Sequence, residues 1–199
     1  MRPLVAVPLK PFESAKGRLA GALAPEAREA LMRETAGRVV RASAAGGALT
    51  VVVTADPAVT AWAHGLGVEV MAEPPGGGLD GAAHAAAESA VAAGAVWCIV
   101  HGDLPLLTPD HMTRVLDAAD EGSAVLAPSR TGGTNLLASH RLIDFHYGPG
   151  SFALHLAAFA GDERRVIVAT GTALDLDTPD DLATAATMPG GAWLARYLG

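Results

Sequence analysis

Residues Ala95–Val100, AVWCIV, form an almost unbroken apolar run that empties into His101-Gly102-Asp103-Leu104-Pro105. A strand that shows neither face to water reads this way, and such strands lie inside parallel sheets covered by helices on both sides. Leu4–Pro8 and Leu49–Thr54 have the same character, and Val68–Met71 is a shorter version. Helix signals lie between them. Pro25 opens a helix whose core face is Leu31, Thr35, Val39 and Ala42, ended by Gly46-Gly47; Asp56-Pro57 opens a second that carries Trp62. This β-α-β-α alternation dictates an α/β fold around a largely parallel sheet. Ligands of such open sheets collect outside the carboxyl ends of the strands. Asp103 stands at one of those ends, as a metal or nucleotide ligand or as the cap of a turn.

A chain of 199 residues reads as a single domain spanning 1–199. Half of it is hydrophobic, much of that alanine, yet no run approaches the roughly 18–20 apolar residues that cross a bilayer. The N-terminal MRPLVAVPLK lacks the apolar core of a signal peptide. The lone Cys98 sits inside the apolar run as a packing residue and excludes both a disulfide framework and a multi-thiolate zinc cluster. A cytoplasmic protein is expected. Net charge is −7 with no basic stripe, which excludes binding along a nucleic-acid backbone. No membrane partner is expected either.

The second half continues the alternation. Thr108-Pro109-Asp110 starts a helix that runs to about Ala119, and Ser123–Ala127 resumes as a strand. SRTGGTNLLAS turns into another strand. Gly148-Pro149-Gly150 leads to Ser151, expected as the N-cap of a helix carrying Phe152, Leu156 and Phe159 and ending at Gly161. Val166–Val168 reads as a strand. Leu174–Asp177 reads as another, with Asp175 and Asp177 on one face and the leucines on the other. Thr178-Pro179-Asp180-Asp181 caps a last helix, whose aspartates serve its dipole. The tail with Trp193 and Tyr197 packs on the domain or on a second subunit, so a homodimer is compatible with the sequence.

Several short stretches could carry chemistry. Lys10, Lys16 and Arg18, three cations within nine residues after the first strand, can meet phosphates or form a solvated loop. The loop before the alanine-rich helix, with Gly77 and Gly78, lets a ligand approach backbone and a helix N-terminus; Asp80 there is either a dipole partner or a contact to a nucleobase edge. Thr134 and Asn135 follow two glycines and can donate to an anion or merely end a turn. Gly148 and Ser151 make an anion site or a plain capped helix start. Asp175 and Asp177 repel each other unless a cation lies between them. Asp103 and this pair, with no histidine-cysteine cluster, favour a hard oxygen-ligated ion, Mg²⁺ or Mn²⁺. Neither a GxxxxGK[ST] loop nor a GxGxxG turn follows the first strand. Carboxylates, a divalent cation and nearby Lys and Arg are the apparatus of nucleotidyl or phosphoryl transfer.

VPLKPFESAKGRLAG, PPGGGLDGA, GDLPLLTPD, GGTN, YGPGSF and LDLDTPDDL occur in that order between about Val5 and Ala183. In this the chain resembles the phosphoenolpyruvate/2-phospho-L-lactate guanylyltransferases, which make the guanylylated precursor of coenzyme F-420. The resemblance implies a Rossmann-like nucleotidyltransferase fold of the GT-A-like kind, a three-layer sandwich with a mainly parallel mixed sheet. It implies GTP and a small phosphorylated three-carbon acid as substrates, with a product handed to the next enzyme of the pathway. By motif, Thr134, Gly148 and Ser151 would hold the acceptor and Asp103, Asp175 and Asp177 the metal. Lys16 and Arg18 would face the triphosphate beside Asp103 in the catalytic set, with Lys10, Gly77, Gly78 and Asp80 on the nucleotide. Phosphoenolpyruvate is the expected acceptor; 2-phospho-L-lactate, 3-phosphoglycerate, another nucleotidyl transfer, or nucleotide binding without turnover are the alternatives. The chain departs from the family at Gly17, at His101-Gly102 and at Asp80, where serine, Pro-Ala and asparagine are common.

Overall fold

The apolar runs became the middle of a sheet. In the computed structural model, residues 1–14, 17–44 and 47–198 are described. The strands are β1 (Leu4–Pro8), β2 (Leu49–Thr54), β3 (Glu69–Ala72), β4 (Trp97–Val100), β5 (Ala124–Pro128), β6 (Thr134–Ser139) and β7 (Arg164–Val166). The helices are α1 (Pro25–Ser43), α2 (Pro57–Gly65), α3 (Gly78–Ala92), α4 (Pro109–Asp120), α5 (Ser151–Ala158), α6 (Thr170–Ala173) and α7 (Pro179–Thr187). Short 3₁₀ turns occupy Phe12–Ser14, Gly17–Leu19 and Ala192–Tyr197.

The seven strands are ordered β3-β2-β1-β4-β6-β5-β7. β6 runs antiparallel to both its neighbours, while the other pairings are parallel. Helices cover both faces, as expected of a mainly parallel mixed sheet in a three-layer sandwich. Alternation on β1 sorts the two cores. Val5 and Val7 pack with Cys98 and Val100 against α1 and α4, while Leu4 and Ala6 pack with Trp97, Ile99 and the α3 alanines. Ala82, Ala83, Ala86, Ala87 and Ala90 are all buried, so the small side chains bring α3 close to the sheet. A third cluster joins Leu19, Leu31, Leu106, Leu174, Leu176 and Leu194, tying the C-terminal segment to the domain. Each fully buried leucine there contributes about 1.5–3 kcal/mol.

Caps are where the sequence placed them for α2, α4 and α7. Asp56 accepts from Val59 N–H at 2.8 Å and Thr108 from His111 N–H at 3.3 Å. Asp181 does more than serve a dipole: it accepts from Thr178 N–H at 2.9 Å while the Thr178 hydroxyl accepts from Asp181 N–H at 3.2 Å.

Several boundaries differ from the sequence reading. Strand β7 is Arg164–Val166 rather than Val166–Val168, because Arg164–Val166 lies opposite Ala124–Leu126 and the chain then leaves the sheet; Val168 is 72% exposed. Residues 174–177 are extended but not a strand: Leu176 N–H donates to Asp103 O at 3.0 Å, with no ladder around it. The alternation nonetheless holds, with Leu174 and Leu176 buried and the aspartates half-buried. Ser151 is the first residue of α5, not its cap. Gly150 is the cap, at φ 74°, a left-handed conformation that glycine adopts without a Cβ clash. Helix α5 ends at Ala158, short of Gly161. Helix α1 ends at Ser43; of the expected glycine stop, Gly46 lies outside the described residues. The tail packs on its own domain: Leu194 is buried, and Arg196 meets Glu34 on α1 at 2.6 Å.

Candidate active site

Strand order reverses between β1 and β4, and a crevice opens at the carboxyl ends of neighbouring strands at such a switch point. A cavity of about 500 Å³ lies there. Lys10, beyond β1, and His101, Gly102 and Asp103, beyond β4, line it. So do Arg18 from the second 3₁₀ turn, Gly78 and Leu79 at the start of α3, Glu73, and Asp177. At Gly102 a Cβ would press on Leu9 Cδ2, so a larger residue there needs the Leu9 side chain to shift.

The bond from Leu176 N–H to Asp103 O draws the 174–177 segment against the end of β4. Asp103, Asp175 and Asp177, all half-buried, thereby each offer a carboxylate oxygen, and these atoms all lie within 4.8 Å of one another. Burial pushes the Asp175 carboxyl above its usual range, with the charges of Asp103 and Asp177 adding to it. A bond from Asn135 opposes that shift. Asn135 Nδ2 donates to Asp175 Oδ1 at 3.3 Å and to Thr172 O at 3.1 Å, which orients the carboxylate. Three carboxylates at this separation repel unless a cation joins them, and an all-oxygen donor set suits Mg²⁺ or Mn²⁺.

Strand pairing sets a second cluster beside the first. His101 N–H donates to Asn135 O at 3.0 Å, so the start of β6, Thr134-Asn135, lies alongside His101-Gly102. The Thr134 hydroxyl is buried and meets His155 Nδ1 at 2.9 Å and Ser151 Oγ at 3.2 Å. The other ring nitrogen, His155 Nε2, accepts from His146 N–H at 3.1 Å. An imidazole that accepts at Nε2 and is neutral carries its proton on Nδ1, so it donates to Thr134. Burial lowers the His155 pKa to about 4, Asp80 opposes that and His146 and His101 add to it. With His155 and Ser151 both donating, the Thr134 hydroxyl has its own proton left to give. Gly148, at φ 129°, begins the turn, and Gly148 O accepts from Ser151 N–H at 3.1 Å.

The remaining positions divide. Lys10 and Arg18 are exposed at the rim of the cavity; Lys16 lies outside the described residues. Gly77 caps α3 and donates to Pro74 O at 3.0 Å. Asp80 does not line the cavity: its Oδ1 accepts from Tyr147 N–H at 2.7 Å, tying α3 to the turn before α5. Sequence reasoning missed His155, although it lies four residues after Ser151 on the same helix, a spacing that could have revealed it. It missed Glu73 too. Asn135 was read as a donor to an anion; its hold on Asp175, 40 residues away, left no local signal.

The profile of the family described as guanylyl transferase CofC like matches residues 3–196. The chain belongs to this family. Among CofC-like relatives, the phosphoenolpyruvate guanylyltransferase of Rubrobacter xylanophilus is 38% identical over 185 residues, covering 89% of this chain and 90% of that one. The 2-phospho-L-lactate guanylyltransferase of Methanocaldococcus infernus is 30% identical over 196 residues, covering 96% and 88%. A Desulfovibrio desulfuricans protein described as a nucleotide-diphospho-sugar transferase superposes with TM-score 0.79 at 16% identity, covering 98% and 95%. Rv0371c of Mycobacterium tuberculosis, crystallised with manganese, superposes with TM-score 0.54 at 16% identity, covering 92% and 96%. These structures establish the fold; the family establishes a nucleotidyltransferase.

Proposed function

We propose that this CofC-like protein transfers GMP from GTP to the phosphate of phosphoenolpyruvate, forming enolpyruvyl-diphospho-guanosine, the precursor of coenzyme F-420, and releasing diphosphate. The observation that carries the reading is the adjacency of two clusters across the β4–β6 pair: three carboxylates within 4.8 Å on one side and the Thr134–Ser151–His155 hydroxyl cluster on the other. Phosphoenolpyruvate is favoured because the Rubrobacter relative, at 38% identity, has that activity. A 2-phospho-L-lactate acceptor is the second reading, carried by the Methanocaldococcus relative at 30%.

An oxygen of the acceptor phosphate attacks the α-phosphorus of GTP in line; the new O–P bond forms as the bond to the diphosphate breaks. The nucleophile is already ionised, so no side chain need take a proton. Both reactants are anions, and positioning with charge neutralisation supplies the catalysis. Thr134, Gly148 and Ser151 bind the acceptor, the Thr134 hydroxyl donating the proton that His155 leaves available. Lys10, Lys16 and Arg18 meet the triphosphate, and the Gly77-Gly78 turn brings backbone to the nucleotide. Asp103, Asp175 and Asp177 would hold Mg²⁺, or Mn²⁺ as in the manganese-bound neighbour. When bound, that ion neutralises charge on the phosphoryl oxygens.

Diphosphate release with GTP, Mg²⁺ and each candidate acid tests this. Phosphoenolpyruvate should give the highest kcat/KM, and chelation should stop turnover. Asp103→Asn should abolish it while the variant stays folded; wild-type rates in that variant would refute the metal role.

A further inference from the structure

One acidic side chain in the cavity stands apart from the carboxylate cluster. Glu73 lines the cavity together with Leu79, Ala82 and Asp103. It directly follows β3, and its N–H donates to Thr54 O at 3.1 Å, so it prolongs the pairing of β3 with β2. Met71, two residues earlier, packs with the α3 alanines, and alternation puts Glu73 on that same face, at the N-terminus of α3. The order β3-β2-β1-β4 separates Glu73 from Asp103 by three strand spacings, about 14 Å. The cavity therefore has a carboxylate at each end. Leu9, Phe12, Met32 and Leu79 also line it, apolar surface that suits the faces of a flat ring.

Glu73 is half-buried, and among the described residues its carboxylate makes no hydrogen bond or ion pair. A carboxylate so placed calls for donors from a ligand, since leaving it partly desolvated and unmet is costly. Asp80, the other acid near the start of α3, is engaged by Tyr147 N–H and lies outside the cavity.

We propose that Glu73 reads the base of the nucleotide, its two carboxylate oxygens accepting from the N1–H and the 2-amino group of guanine while the phosphates extend toward Asp103. Among the purine bases only guanine presents two adjacent donors on that edge. Adenine offers an acceptor at N1 and no 2-amino group, so it meets the carboxylate with a lone pair. The assignment rests on GTP being the nucleotide substrate, as proposed above.

Equilibrium binding of GTP, ITP and ATP with Mg²⁺, measured by calorimetry without any acceptor, tests the assignment. ITP keeps N1–H and lacks the 2-amino group. The wild-type protein should bind GTP about 10-fold more tightly than ITP, one charge-assisted bond, and ATP more weakly still. In Glu73→Ala, GTP affinity should fall about 10–100-fold and the GTP:ITP ratio should approach one. Glu73→Gln keeps the size and one acceptor and should fall between. Because the Glu73 carboxylate makes no hydrogen bond or ion pair among the described residues, both variants should unfold near the wild-type midpoint. An unchanged GTP:ITP ratio in Glu73→Ala, or a wild-type protein that binds ATP as tightly as GTP, overturns the inference. Failure of every phospho-acid to turn over in the wild-type protein would instead defeat the acceptor reading, and the binding ratios would still decide the role of Glu73.

Discussion

His155 shows how one buried side chain can set the polarity of a neighbouring hydroxyl, that of Thr134. Its Nε2 is held as an acceptor by His146 N–H, so its Nδ1 must donate to Thr134. His155→Asn keeps a donor at the Nδ1 position, whereas His155→Phe removes it. The phenylalanine variant should raise the KM of the acceptor about 3–10-fold with little change in the KM of GTP, and the asparagine variant should restore most of it. Stability should report the same residue. Its folded pKa is about 4, below the usual value of 6.5, so the unfolded chain takes up the proton first as pH falls. The contribution is fully present above about pH 6.5 and is lost as pH drops toward 4, a change on the order of 3 kcal/mol. Denaturation midpoints between pH 4 and 7 should fall more steeply for the wild type than for His155→Asn. Asn135 acts similarly on the other cluster. Asn135→Ala should weaken Mg²⁺ activation about 10–100-fold, read from the metal dependence of turnover, because Asp175 loses the bond that orients it.

Elements carry the site by their ends. The extended 174–177 segment was legible as an alternation of leucine and aspartate, but not as a segment drawn to the end of β4 by the bond from Leu176 N–H to Asp103 O. Side-chain alternation needs only an extended backbone, whereas membership in a sheet needs a neighbouring strand, and local sequence does not disclose neighbours. The start of α5 illustrates the same limit. A serine before an amphipathic run reads as a cap, yet Gly150 takes the cap position and frees the Ser151 hydroxyl to donate to Thr134. Gly150→Ala should cost about 1–2 kcal/mol by forcing an alanine to φ near 74°, and should raise the KM of the acceptor as Ser151 shifts. Thermal midpoint and acceptor kinetics check the two effects together.

At the scale of the whole molecule, the two sheet faces form the main cores and the leucine cluster under the C-terminal segment is a satellite. That satellite holds Leu174, Leu176 and α7 in place and so supports Asp175 and Asp177 from behind. Leu194→Ala, at a fully buried position, should cost about 2–5 kcal/mol. Hydrogen exchange should show the loss concentrated in α7 and the tail, with Mg²⁺ activation weakened before the central strands lose protection. Among the described residues no helix is long and apolar enough to cross a membrane.

What the sequence determined by itself was whatever rests on local periodicity and turn chemistry: the buried strands, the alternating helices, the proline-led caps, and the carboxylates as a set suited to a hard cation. The six ordered motifs added the family. Tertiary structure alone decided which groups touch. It set Asn135 on Asp175 across 40 residues, His155 on Thr134 across 21, and Glu73 in the cavity that Asp103 lines. Those pairings depend on strand order and on the antiparallel entry of β6, and both are consequences of packing the whole chain rather than of any stretch within it.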